Sequence, residues 1–383
     1  MKIKRDRLFR RVLEALRRSR CVGLVGPRQC GKSTLAREIA GTNAAAYFDL
    51  EDPTSEARLR DAKLALEPLR GLVVIDEVQR RPDLLPLLRV LADRDPLPAR
   101  FLLLGSASPE LLRNASESLA GRIEFIEMRG FTLDETGDAR MRPLWRRGGF
   151  PLSYLAANDR DSLKWRNAFL QAFIERDLRQ LGMDLPPAAV RRFLTMIAHY
   201  HGRTCNASEV GRSLQLAHTT VRRYLDLLTG ALLVRQLPPW FENVGKRLVK
   251  SPKIYLRDSG LLHALLGLQT MADVESHPVL GASWEGFALE TLLAWRDEPA
   301  AYFWGTHGGA ELDLCWMTGP RRIGVEIKYT SSPSVTKSMR VSLADLALDH
   351  LYVVYPGRGL FPLADRITAA GLSDMQAILD AGS

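Results

Sequence analysis

An α/β architecture follows from three features of the 383-residue sequence: a parallel sheet with helices on both faces comes first, and a smaller α/β part lies at the other end. Apolar runs of strand length alternate with helical periodicity over the first third, the pattern of βα units building a parallel sheet. A glycine-bracketed loop separates the first strand from the helix after it. Near the C-terminal end, two apolar strands flank Gly319-Pro320 and carry acidic residues on alternate positions.

The chain opens with MKIKRDRLFRRVLEALRRSR. Leu8, Val12, Leu13 and Leu16 fall on one face, so this reads as an amphipathic helix; it lacks the apolar stretch of a signal peptide. Cys21–Gly26 then reads as a buried strand. Gly26-Pro27-Arg28-Gln29-Cys30-Gly31-Lys32-Ser33 fits G-x-x-x-x-G-K-[ST], and Thr34 and a helical pattern follow. Strand, glycine loop and helix in that order form a Walker A element. Its backbone N–H groups turn inward around phosphates, and the helix N-terminus adds positive potential. Lys32 is expected on the β- and γ-phosphates of ATP, Ser33 on Mg²⁺, and Thr34 at the α-phosphate or as a cap.

AAAYFDLED supplies a second strand and GLVVIDEVQ a third, buried on both faces. Asp76 ends that third strand, where ligands of open α/β sheets bind, and is expected to hold Mg²⁺. Glu77 is expected to polarise the attacking water, which points to hydrolysis rather than to a small-molecule kinase. Past the next strand, FLLLGS, Ser106 is a candidate γ-phosphate sensor; helix N-capping by Ser106 or Ser108 is the alternative. IEFIEM closes the sheet.

GPRQCGKSTLA, FDLEDP, VVIDEVQRRPDLLPLLR and LLGSASPELLRNASESLAGR together resemble the bacterial and archaeal AAA-like P-loop ATPases that carry an uncharacterised C-terminal domain. The resemblance runs over nearly the whole chain. It implies an arginine that reaches a neighbouring subunit's nucleotide, with Arg122 the candidate and Arg113 second, and hence a possible homo-oligomer.

From Phe131 to Tyr200 the pattern turns helical, the linker or lid of such proteins. His199 and His201 alternate on a helix and so point apart, which argues against a metal pair. CNASEVGRSLQLAHTTVRRYLDLLTGALLVRQLP reads as helix, turn, helix and strand, a winged-helix order. Thr220, Arg222 and Arg223 would face a duplex, or the element is a protein-binding lid. Lys246, Arg247, Lys250, Lys253 and Arg257 form a basic stripe for phosphate contact, or a strand edge blunted by lysines.

In the C-terminal hairpin, a two-residue Gly-Pro turn pairs Thr318 with Arg321. Asp313 then falls opposite Glu326 and Glu311 opposite Lys328, all on one face. Facing carboxylates repel, and a shared Mg²⁺ removes the penalty. D…ExK is similar to the PD-(D/E)xK nuclease signature. GASWEGFALETLLAW supplies the further carboxylate, Glu285 before Glu290, so Glu285, Asp313 and Glu326 form a possible nuclease Mg²⁺ site with Lys328 beside it. The alternative is an exposed Glu311–Lys328 ion pair on an inactive, nuclease-like fold.

The expected architecture is therefore an AAA-like P-loop NTPase sheet (1–130), a helical linker (131–202), a winged-helix-like domain (203–258) and a small restriction-endonuclease-like α/β domain (259–383). The net charge of +9 favours a polyanionic partner, and with the winged-helix order the expected partner is nucleic acid, DNA before RNA. Cys21, Cys30, Cys205 and Cys315 form no CxxC pair, which argues against a disulfide framework or structural zinc. No apolar run approaches the ~20 residues of a helical span, so the expected location is cytoplasmic, with no membrane partner. The expected function is Mg²⁺-dependent ATP hydrolysis coupled to nucleic-acid binding or processing. The alternative is an ATP-driven switch whose C-terminal half binds a protein.

Overall fold

Buried on both faces, the N-terminal strands sort their side chains by parity. The strands are β1 (Cys21–Gly26), β2 (Ala45–Asp49), β3 (Gly71–Asp76), β4 (Ala99–Ser106) and β5 (Ile123–Glu127). Val73 and Ile75 of β3, with Phe101 and Leu103 of β4, enter one core layer. Leu72 and Val74, with Leu102 and Leu104, enter the other. The first layer is covered by the helix Leu84–Ala92. The second is covered by the helices Asp6–Arg18 and Lys32–Thr42. Strand alternation alone therefore produces the three-layer arrangement.

All five strands are parallel, in the order β2-β3-β4-β1-β5. The computed structural model describes residues 3–42, 45–107, 109–240, 251–296 and 300–381. Met1–Phe131, with Phe150–Leu155 and Gly230–Leu232, forms one compact unit; the remaining residues form another. Among the described residues no helix is long and apolar enough to cross a membrane.

The second unit begins with helices. Asn158 caps the helix Asp159–Ala172 by accepting from Asp161 N. A π-turn at Phe173–Asp177 follows it directly, before the short helix Leu178–Gln180. Next come the helices Ala207–Leu214 and His218–Gly230, joined at Gln215, whose φ is +56°. A three-stranded sheet goes with them, formed by β6 (Arg203–Thr204), β7 (Val234–Leu237) and β8 (Lys253–Leu256) in the order β6-β8-β7. Since β8 is central, all four of its residues are buried.

The C-terminal sheet contains β9 (Tyr302–Gly305), β10 (Glu311–Thr318), β11 (Arg321–Ile327), β12 (His350–Tyr355), β13 (Leu360–Ala364) and β14 (Ile367–Gly371). Their order is β13-β14-β12-β11-β10-β9. The Gly-Pro turn joins β10 to β11, and Thr318 pairs with Arg321, continuing in register to Leu314 and Val325. Gly319 has φ +56° and Pro320 is confined to negative φ, as a type II′ turn requires.

The helix Leu280–Trp295 carries both candidate glutamates. Five residues apart, they are turned roughly 140° from each other. Glu290 leaves the hairpin and meets both Arg235 of β7 and Arg257, whose Nε lies at 3.2 Å. This pairing joins the helix to the three-stranded sheet. Removing one partner of a buried ion pair strands the other charges, so Glu290→Ala should lower the unfolding free energy by about 3–5 kcal/mol, measured by urea denaturation.

Candidate functional site

The order of the first sheet inserts β4 between β1 and β3. The C-terminal ends of these three strands therefore bring the phosphate loop, Ser106 and the Asp76-Glu77 pair to one edge. Gln29 and Gly31 have φ of +61° and +102° and turn the loop back on itself. At Gly26 a Cβ would lie 2.1 Å from the Met128 carbonyl oxygen, so only glycine fits there. Lys32 is 5% exposed and its Nζ donates to the carbonyls of Gly26 and Pro27, both at 2.9 Å. Ser33 and Thr34 begin the helix that the loop feeds. Pro27, Arg28 and Cys30 complete the loop, and the buried Cys30 thiol lies 3.6 Å from the Met128 carbonyl.

Asp76 is 1% exposed, and its Oδ2 accepts from the Tyr47 hydroxyl at 2.6 Å. Glu77 follows with φ +57°, a left-handed conformation that costs a non-glycine residue on the order of 1–3 kcal/mol. Burial pushes its carboxyl pKa up, and the Gln79 amide and Lys32 pull against that shift. Ser106 pairs in register with Gly26, and its Oγ is buried without a hydrogen-bond partner among the described residues. That atom is free to meet a phosphate or a water. Its alternative role, shared with Ser108, rests partly outside the described residues, as Ser108 does.

Two anchors of this edge carried no motif. Arg5 donates to the carbonyls of Cys30 at 3.3 Å, Arg129 at 3.0 Å and Gly130 at 2.9 Å, tying the N-terminal segment to the loop. Tyr47 holds Asp76 across neighbouring strands. Only the pairing of β2 with β3 makes either it or Asp49 a neighbour of Asp76.

Arg122 lies elsewhere. Its carbonyl accepts from Cys21 N, so it stands at the opposite end of β1 from the loop, about 20 Å away by strand rise. Its guanidinium is gripped by both oxygens of Asp93, at 2.7 and 2.8 Å. It cannot serve the loop of its own chain. Arg113 is exposed.

In the second unit, Glu326 lies near Glu285 and Asp313, as expected, but the latter two close around a lysine. Lys253 Nζ lies 3.2 Å from Glu285 Oε1 and 3.3 Å from Asp313 Oδ1, and it also pairs with Glu311. The Tyr255 hydroxyl donates to Glu285 Oε1 at 2.5 Å. Asp313 Oδ2 accepts from the Ile327 amide at 2.9 Å, so a side chain completes the hairpin where the ladder ends. Lys328 turns to Glu326 at 2.6 Å rather than to Glu311. The second oxygen of Glu326 is buried and has no partner among the described residues.

Three expectations are thereby corrected. Lys253 is no phosphate-contacting lysine; it is 3% exposed because β8 is the central strand of its sheet. Arg257 is likewise taken, by Glu290, and Lys246, Arg247 and Lys250 lie outside the described residues. The Mg²⁺ site of Glu285, Asp313 and Glu326 does not fit as placed. An ammonium stands between the first two, and among the described residues no group of three or more His, Cys, Asp and Glu is arranged to hold a metal. Of the duplex-facing candidates, Arg222 and Arg223 are exposed and Thr220 is half-buried.

Comparison with known proteins gives a consistent picture. A family model described as an AAA domain matches residues 18–137. Two described as domains of unknown function, DUF8612 and DUF4143, match residues 139–272 and 280–375. Uncharacterized protein Rv2008c of Mycobacterium tuberculosis is 52% identical over 369 residues, which cover 96% of this chain and 84% of the relative. Uncharacterized protein Mb2031c of Mycobacterium bovis matches to the same extent. The Walker-type ATPase of Pyrococcus abyssi shares the fold, with a TM-score of 0.50 at 16% identity, covering 69% of this chain and 96% of that one.

Burial and mutual repulsion push Glu285 up to about 7 and Glu326 up to about 8. The folded cluster thus holds protons that an unfolded glutamate, at about 4.3, has released. The stabilisation is full below the unfolded value and is lost as pH rises through the folded ones. The unfolding midpoint should fall between about pH 5 and about pH 8.5, and Glu326→Gln should flatten that fall, read by thermal melts across the range.

Proposed function

Because the chain belongs to one family with the two mycobacterial proteins and carries an AAA ATPase domain, we propose that it hydrolyses ATP at the phosphate loop and couples this to nucleic-acid binding by its C-terminal half. The observation that carries the reading is the β2-β3-β4-β1-β5 order, which gathers Lys32, Ser33, Asp76, Glu77 and Ser106 at one sheet edge. The donor set fits Mg²⁺-ATP: a hydroxyl, a buried carboxylate and a lysine held only by neutral carbonyls. Bound Mg²⁺ supplies neutralisation of phosphate charge and orientation of the phosphates. Ser33 and Asp76 would hold it. Lys32 would leave the carbonyls of Gly26 and Pro27 for the β- and γ-phosphates, and the backbone N–H groups from Arg28 to Thr34 would line the phosphate chain. Glu77, made more basic by burial, accepts a proton from the attacking water. Ser106 Oγ senses the γ-phosphate. Arg122 would act only on a second copy's nucleotide, once released by Asp93.

For the C-terminal half, the net charge of +9 and the exposed Arg222 and Arg223 favour nucleic acid. A second reading has support of its own: Lys253 inside the carboxylate cluster favours a switch whose nuclease-like domain binds without cutting.

Lys32→Ala should abolish nucleotide binding and turnover together. Glu77→Gln should keep binding and lose turnover by about 10²–10⁴-fold, measured by phosphate release and equilibrium binding; intact hydrolysis in this variant would remove Glu77 from its role. Duplex DNA binding should weaken steeply with salt, and replacing Arg222 and Arg223 by Ala should reduce the log–log slope by about 1–2. Binding without salt dependence would leave the protein-partner reading in its place.

A further inference from the structure

We propose that Lys253 is the resident cation of the C-terminal carboxylate cluster, and that its ammonium keeps divalent metal out of a site otherwise built to take one. The inference goes beyond the ATPase reading and does not depend on it.

Three carboxylates surround Lys253 Nζ: Glu285, Glu311 and Asp313. The Phe303 ring lies 5.6 Å from the same nitrogen. These contacts account for the burial of the lysine and for the close approach of three anions from a helix and a hairpin strand. The same arrangement is wrong for a small divalent ion. Mg²⁺ draws its oxygens to about 2.0–2.1 Å, whereas the ammonium holds Glu285 and Asp313 at 3.2 and 3.3 Å and occupies the centre itself. Other donors draw on the same carboxylates: Glu285 Oε1, already facing the ammonium, also accepts from the Tyr255 hydroxyl, and Asp313 Oδ2 accepts from the Ile327 amide.

One feature points to an unmet demand for positive charge. Glu326 is 5% exposed, and Lys328 engages only its Oε1. Its Oε2 is buried without a partner among the described residues, and Glu326 lies close enough to Asp313 and Glu285 for each to raise its pKa. Four carboxylates thus share two lysines. Take away the Lys253 charge and Glu285, Glu311, Asp313 and Glu326 are left with Lys328 alone, a set with the oxygen ligands that hard cations prefer.

Mn²⁺ is the probe, titrated into the nucleotide-free full chain and followed by the loss of its free electron-spin-resonance signal and by thermal melting. Wild type and Lys253→Arg, which both keep the charge, should show no saturable site below about 1 mM. Lys253→Met should bind about one Mn²⁺ at least tenfold more tightly, and its melting midpoint should rise with metal. Adding Asp313→Asn to Lys253→Met should remove that site. Saturable binding by wild type that Asp313→Asn abolishes would overturn the proposal. So would a Lys253→Met variant that binds no better than wild type, or a Lys253→Arg variant that binds as well as Lys253→Met. Should Lys253→Met fold poorly, refolding with and without Mn²⁺ asks the same question: recovery only with metal supports the proposal, and no difference refutes it.

Discussion

A charge taken out of water must find its counter-charge or its hydrogen bonds inside the protein, and this constraint shapes both units. An unpaired buried ion costs several kcal/mol, a large fraction of the stability of a whole domain. Asp76 meets the requirement with a tyrosine hydroxyl and its neighbour's amide. Arg166, fully buried, meets it by donating to the Gly260 carbonyl at 2.7 Å, and desolvation still lowers its pKa to about 10. Glu290 meets it with two arginines and Lys253 with three carboxylates. Each solution joins elements far apart in the chain, so polar groups do much of the joining that apolar contacts leave undone.

Local pattern made the first sheet legible. Apolar runs such as LVVI and FLLL are long enough for one strand and too short for a helix, and their parity divides them between two layers. The phosphate loop was legible because its spacing is itself the mechanism. The hairpin register was legible because a Gly-Pro turn has few solutions, and one pairing then determines the next. Strands β9, β13 and β14 were missed. They are short, and β13, with LFPLA, carries a proline and exposed apolar residues that read as loop.

What stayed hidden was long-range charge pairing. Lys253 sits among Lys246, Arg247 and Lys250, and in sequence it looks like one more member of a basic run. Only the central place of β8 in its sheet, close to the helix Leu280–Trp295 and the β10–β11 hairpin, turns it inward. Arg5 and Tyr47 are hidden for the same reason, since nothing nearby marks them as partners of the loop and of Asp76. A faint signal did exist for Lys253. Three carboxylates brought to one face by register and helix phase require more positive charge than Lys328 carries, and that deficit could have prompted a search for a second cation.

The two buried lysines show how the same side chain gives opposite properties. Lys32 is held by two neutral carbonyls, each at 2.9 Å. An arriving phosphate offers full negative charge, and charge-assisted bonds are roughly twice as strong as neutral ones, so the exchange runs toward the ligand. The buried Gly26 carbonyl keeps the Ala107 amide at 3.1 Å when the lysine leaves, and Pro27 is only half-buried, so water can satisfy its carbonyl. Lys253 already has the stronger partners. An anion arriving there would have to displace carboxylates that cannot be left unpaired in a buried site, and a metal would have to displace the ammonium itself. The first lysine is therefore poised for exchange and the second is locked. This difference follows from the partners alone, neutral in one site and ionised in the other, although both lysines are almost equally buried.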